Sequence, residues 1–217
     1  GHDRPPFVVV GDRPERTVVM TRHLLDVTEF TASEVRQILA LAEAPIESLG
    51  RPLAGGGVAL IFEKPSNRTR HSMEMAVSQL GGHATVTRMA AVVDVPVVNM
   101  LSDHSHPLQA FADALTMQQC LGDLTGKTVA YVGDFNNVAR SLAEVSALLG
   151  MHIRFACPIG FAAPLSELER FALLGASSVE QSHRPAEAVA GAHAVHTDTW
   201  VSMGQETEKQ ERMQQFE

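Results

Sequence analysis

An alternation that repeats along the chain constrains its fold more than any other feature: a short apolar run, then a polar loop, then an amphipathic stretch. Val58 to Phe62 leads into polar residues 63–69, and then into Met73, Ala76, Val77 and Leu80 on one helical face. Val95 to Leu101 leads into residues 102–106 and, after Pro107, into a helix with Leu108, Phe111, Ala112 and Leu115 as its buried face. Thr128 to Val132 leads into Gly133 to Asn137, and then into Val138, Leu142, Val145 and Leu149. Ile153 to Ala156 precedes a helix over Leu165 to Leu174. Ala194 to Thr197 precedes residues 198–204 and a final polar helix over Gln205 to Phe216. Strands alternating with helices predict an α/β fold, with parallel sheets covered by helices on both faces. Ligands in such folds sit beyond the carboxyl ends of the strands. The polar loops at 63–69, 102–106, 133–137 and 198–204 are therefore where chemistry is expected.

Composition narrows the function classes. With 17 Lys+Arg against 25 Asp+Glu, the net charge is −8, and a general nucleic-acid binder would need a basic stripe instead. Hydrophobic residues make up 45% and charged residues 19%, enough to bury a core. No apolar run approaches the roughly 18 residues of a membrane span, and Phe7 to Val10 is too short for a signal-peptide core. Cys120 and Cys157 make no disulfide framework, so a reducing cytoplasmic setting is expected. Residues 1–19 read as an N-terminal extension, with an ordinary ordered arm as the other reading, and Met20 is the expected natural start. Thr31-Ala32-Ser33-Glu34 fits a capping box, and Val35, Ile38, Leu39 and Ala42 follow at helical spacing.

The first loop reads Glu63-Lys64-Pro65-Ser66-Asn67-Arg68-Thr69-Arg70. Hydroxyls, an amide and two guanidiniums meet a helix N-terminus, where unpaired N–H groups and the helix dipole favour an anion. Locally this is either a phosphate cradle or a cap with two solvated arginines. It is neither a Walker loop nor a dinucleotide fingerprint, and Gly133-Asp134-Phe135-Asn136-Asn137 lacks that fingerprint's glycines. In the second loop His106 and Gln109 are three apart at a helix start, so both can reach one ligand as donor or acceptor. A histidine serving only as a cap is the alternative. His104 and His106 form no metal site, because no nearby Cys or further His completes one. In the last loop Asp198 can hold an ammonium and Ser202 can add a hydrogen bond, although locally an ordinary loop-to-helix cap explains it as well.

Order adds what single loops lack. Phe62 to Arg70, Gln79-Leu80-Gly81-Gly82-His83, His106-Pro107-Leu108-Gln109, Gly133 to Asn137 and Asp198-Thr199-Trp200-Val201-Ser202-Met203-Gly204 together closely resemble ornithine carbamoyltransferases. The resemblance covers nearly all of residues 20–217, and Asp198 to Gly204 points to ornithine as acceptor. It implies two doubly wound parallel-sheet α/β domains with the active site between them. Residues 20–123 would bind carbamoyl phosphate and 124–217 ornithine. Ser66, Asn67, Arg68 and Thr69 would hold the phosphate, and His106 and Gln109 the carbamoyl group. Asn137 and the Met203 backbone would meet the ornithine carboxylate, with Asp198 and Ser202 at its α-ammonium. Arg68, Thr69 and His106 would be catalytic: Thr69 and His106 as donors to the carbonyl oxygen, the arginines as neutralisers of the leaving phosphate. No cofactor, nucleic acid or membrane enters, and a homotrimer or larger homo-oligomer is implied.

The chain also departs from that family. Asn67 stands where Thr is usual. Near Arg88-Met89 only about a dozen residues separate Gly81-Gly82-His83 from Val95, too few for the strand, the helix and the Arg that the family carries there. The family's His-Cys-Leu-Pro motif and long last helix do not occur before Glu217. The fold is thus expected to be incomplete in this chain. Three readings stay open: an enzyme whose missing segments exist outside this sequence, a carbamoyltransferase for another amine such as putrescine or an acylated ornithine, and an inactive relative that binds phosphate or a partner subunit.

Overall fold

The computed structural model describes residues 24–60, 67–86 and 98–199. The N-terminal extension and the helix expected over residues 205–216 lie outside them. Two parallel sheets are present among the described residues. The first pairs β1 (Gly57–Leu60) with β2 (His83–Val86), joined by helix α2 (Asn67–Gln79). The second has the order β5-β4-β3-β6, built from β3 (Thr128–Val132), β4 (His152–Ala156), β5 (Ser178–Ser182) and β6 (Ala194–Thr197). Helices α4 (Asn137–Leu148), α5 (Leu165–Leu174) and the short α6 (Pro185–Val189) connect these strands.

Side-chain alternation along the strands builds two layers. Val129 and Tyr131 of β3, with Ile153 and Phe155 of β4, join the main core under α4 and α5. Ala130 and Ala156 point the other way and pack with Ala188 of α6 in a smaller cluster. Helices therefore cover both faces, as the alternation predicted. Helix α1 (Ala32–Glu43) begins at a complete capping box: the Thr31 hydroxyl accepts from the Glu34 N–H, and the Glu34 carboxylate accepts from the Thr31 N–H at 2.8 Å. Val27, Val35 and Leu39 bring this N-terminal segment into the main core, beside α3 (Pro107–Leu121) and α4.

Two expectations need correction. The described part of Val95 to Leu101 is not a strand, since Val98 makes only a single parallel bridge to Leu24. Both Val98 and Leu101 remain exposed. On α3 the buried face is Pro107, Ala110, Phe111, Ala114 and Met117, while Ala112 is exposed. The helix packs on α1 and α4 together, and that rotates the contact stripe by about one residue from the one its leucines suggest. Strands β2 and β5 and helix α6 add elements that the apolar runs did not announce.

Candidate active site

The second sheet reverses its winding between β3 and β6. From β3 the chain steps outward to β4 and β5, then returns through α6 to place β6 on the other side of β3. Ligands bind at such a switch point, off the strand carboxyl ends. Here those ends carry Gly133–Asn137 and Asp198. Gly133 opens the turn at φ +153°, and a Cβ there would sit 3.3 Å from the Tyr131 ring, so the turn needs glycine.

Asn136 caps α4. Its Oδ1 accepts from the N–H groups of Val138 and Ala139, both at 3.0 Å. Its Nδ2 donates to Asp198 Oδ2 at 3.1 Å, tying the end of β6 to the start of α4. Asp198 Oδ1 accepts from the Thr199 N–H at 2.7 Å.

Helix α4 also holds the loop before α3. Asn137 Nδ2 donates to the Ser102 carbonyl at 2.6 Å. Arg140 Nη1 donates to the His104 carbonyl at 3.1 Å. The buried Ser141 hydroxyl accepts from the His106 N–H at 3.0 Å and shares a hydrogen bond with Ser105 Oγ at 3.1 Å. Positions 137, 140 and 141 lie on one helical face, which lets one helix fix the whole loop. His106 is the N-cap of α3, but its side chain makes no capping bond. Burial lowers the pKa of its imidazole, against the pull of the Asp113 and Asp198 carboxylates and the Met100 backbone. The shift favours the neutral ring, and its buried Nδ1 has no hydrogen-bond partner among the described residues. Gln109, exposed in the first turn of α3, donates from Nε2 to Asp113 Oδ1 at 2.9 Å.

A second polar cluster braces the site from behind. Arg140 Nε donates to Glu167 Oε2 at 3.2 Å, and Arg170 Nη2 reaches Glu167 and the buried Glu144, each at 2.7 Å. Burial first, then the neighbouring Asp26 carboxylate, push the Glu144 carboxyl up to about 8 against the opposing Arg170. Asp26 goes the other way. Burial would raise it, but the Thr28 N–H and hydroxyl donate to it and hold it below the usual carboxylate range.

Of the residues expected from sequence, Asn137 and Asp198 stand at the switch point, His106 is near enough to feel the Asp198 carboxylate, and Gln109 lies in the first turn of α3 against Asp113. The backbone of Asn67, Arg68 and Thr69 forms the first turn of α2, the next described element after β1. Ser66, Ser202 and Met203 lie outside the described residues. Asn137 spends its amide donor on Ser102, and Asn136 beside it touches Asp198. Sequence reasoning gave no role to Asn136, Asp113, Ser141 or His196. A cap signal before Val138 would have found Asn136, whereas Asp113 and His196 meet only through the fold, 83 residues apart.

This geometry defines a protein with two parallel α/β sheets and polar groups at the strand ends of the second, where α4 packs on α3. The family described as "Aspartate/ornithine carbamoyltransferase, carbamoyl-P binding domain" matches residues 22–91 and 82–119. The one described as "Aspartate/ornithine carbamoyltransferase, Asp/Orn binding domain" matches residues 125–217. The chain belongs to the aspartate/ornithine carbamoyltransferase family. It is 38% identical to an ornithine carbamoyltransferase of Thermus thermophilus over 240 residues, covering 92% of this chain and 78% of that protein. It is 39% identical to the one from a Parafrankia species, over 90% of this chain and 77% of the other. An alignment of 240 residues on a chain of 217 requires gaps within this chain. Among solved structures, ornithine carbamoyltransferase from Pyrococcus furiosus superposes with a TM-score of 0.80 at 34% identity, covering 90% of this chain and 77% of that one. An N-acetyl-L-ornithine transcarbamylase superposes with a TM-score of 0.72 at 26% identity, over 89% and 81%.

Proposed function

We propose that this chain transfers the carbamoyl group of carbamoyl phosphate to the δ-amine of L-ornithine, giving L-citrulline and phosphate. The nearness of His106 to the Asp198 carboxylate supports this reading, because it would set a donor for a carbonyl oxygen near a carboxylate for an ammonium. Gln109 would join His106 at the carbamoyl group. Residues 20–123 would form the carbamoyl-phosphate domain and 124–217 the ornithine domain. Ser66, with Asn67, Arg68 and Thr69 of the first turn of α2, would cradle the phosphate with backbone N–H groups and guanidinium charge. Asn137, the Met203 backbone, Asp198 and Ser202 would orient the amino-acid end of ornithine.

The chemistry follows from this placement. The neutral δ-amine attacks the carbamoyl carbon, a C–N bond forms, and the bond between that carbon and the bridging phosphate oxygen breaks. The phosphate leaves with the proton released from nitrogen. Thr69 and His106 donate to the carbonyl oxygen as it gains charge. A neutral imidazole suits that role, since it donates without adding a buried cation. Arg68 neutralises the leaving phosphate. Most of the acceleration then comes from holding two substrates in line. The product places the reaction in arginine biosynthesis, and a homotrimer or larger homo-oligomer in the cytoplasm completes the proposal. Among the described residues no helix is long and apolar enough to cross a membrane.

Likeness to an N-acetyl-L-ornithine transcarbamylase makes an acylated acceptor the second reading. Asp198 weighs against it, because a free α-ammonium pairs with a carboxylate and an amide does not. Turnover with ornithine, N-acetylornithine and putrescine separates the two, with ornithine expected to lead. Replacing Arg68 with Ala should lower turnover by about 1,000-fold or more. Full activity in that variant would refute the phosphate site.

A further inference from the structure

We infer that Asp113 and His196 form a positioning pair that fixes the amide of Gln109, and so decides which of its two polar ends faces the transferred group. Asp113 lies one helical turn beyond Gln109 on α3, and its side chain is 17% exposed. Its carboxylate is shared: Oδ1 accepts from Gln109 Nε2 at 2.9 Å and Oδ2 from His196 Nε2 at 3.1 Å. A carboxylate can only accept, so both nitrogens donate. That leaves Gln109 with its carbonyl oxygen free. His196 is held in turn by β6. It is the register partner of Tyr131 on β3, and the two rings stack at 5.6 Å with an interplanar angle of 18°. From Tyr131 the chain of contacts continues: its hydroxyl donates to Asn136 Oδ1 at 3.4 Å, and Asn136 Nδ2 donates to Asp198 Oδ2.

Gln109 is exposed and carries three rotatable side-chain bonds, so without Asp113 its amide would sample either orientation. Two donors on one carboxylate remove that freedom, because turning Asp113 toward one partner loses the other. The oriented oxygen accepts an N–H, which a carbamoyl group offers and an acetyl group does not. The pair therefore favours carbamoyl over other acyl phosphates while touching neither. It also joins α3, on the carbamoyl side, to the strand that ends at Asp198. The inference rests on the assignment of Gln109 in the proposed function.

The test is a double-mutant cycle on the full chain, reading kcat and KM for each substrate. His196→Phe keeps the ring and its stacking but removes the donor to Asp113. It should lower kcat/KM for carbamoyl phosphate by about 30-fold and leave KM for ornithine within about twofold. His196→Gln restores a donor at the same reach and should recover most of the loss. In a Gln109→Ala background His196→Phe should add almost nothing, since the residue it positions is gone. Equal losses in both backgrounds would make the pair merely structural and overturn the inference. If Gln109→Ala turns over normally, the Gln109 assignment fails and the pair with it. If Gln109→Ala is damaged and His196→Phe is not, the pair alone fails. Side-chain amide resonances read the same link without turnover. The Gln109 NH2 pair, assigned by its loss in Gln109→Ala, should be protected from exchange in the parent and in His196→Gln, and exposed in His196→Phe and Asp113→Asn. Unchanged protection in both of the latter would also overturn it.

Discussion

Helices α2 and α4 occupy matching places, each following a strand and each beginning at a candidate substrate loop, yet they are built differently. In α4 every residue from Ser141 to Ala147 is buried, because the sheet, α3, α5 and the N-terminal segment surround it. In α2, among the side chains described, only Val77 is buried. Its N-terminus is the proposed phosphate end, where the first-turn backbone of Asn67, Arg68 and Thr69 leaves N–H groups unpaired within the helix. The difference teaches that the two half-sites are held by different means. The proposed acceptor side is fixed by close packing that also carries the loop-holding side chains Asn137, Arg140 and Ser141. On the proposed phosphate side, the described part of α2 offers a helix end and little core.

Leu142→Ala should break the comparison hardest. This side chain is 2% exposed in the middle of α4, so the cavity left behind should cost about 2–5 kcal/mol in denaturant unfolding. Gly133→Ala should cost about 1–3 kcal/mol, because its φ of +153° and the Tyr131 hydroxyl 3.4 Å from a new Cβ both resist a side chain. Turnover should fall with it, since Tyr131 touches Asn136. Glu144→Gln sharpens the electrostatic part. The folded protein holds this carboxyl at about 8 against an ordinary 4.5, so it favours the protonated group. The stability this gives is complete below pH 4.5 and is lost as pH rises through about 8. Thermal melts of the parent should fall across that window and those of Glu144→Gln should stay flatter. Asp26, held low, acts only at more acidic pH; His106, held below its ordinary 6.5, acts with the opposite sign but equally in parent and variant, so the difference between their melts isolates Glu144. Met75→Ala, at a side chain 48% exposed on α2, should change stability by less than about 0.5 kcal/mol.

The same contrast explains what the sequence made legible. Strand β3, helix α5 and strand β6 fall where their patterns put them, and the Thr31 box closes as written. Strand β5 was missed because it is an edge strand reading Ser-Val-Glu-Gln-Ser, which needs no apolar run. Helix α6 spans only Pro185–Val189, too short for any period. Strand β2 hides behind Gly81-Gly82 in four residues. At the proposed site, His106, Gln109 and Asp198 could be singled out because each stands at or next to a polar loop whose neighbours signal it. Asp113 and His196 were not, since a helix interior and a strand interior carry no mark of the pairing that only tertiary structure creates.

Citrulline formation by the purified chain, with its mass of 23.4 kDa verified, tests the central claim most directly. Carbamoyl phosphate and L-ornithine should yield citrulline and phosphate in equal amounts, with Arg68→Ala silent under the same conditions. No citrulline from the intact chain would contradict the assignment of a complete transfer site to these residues.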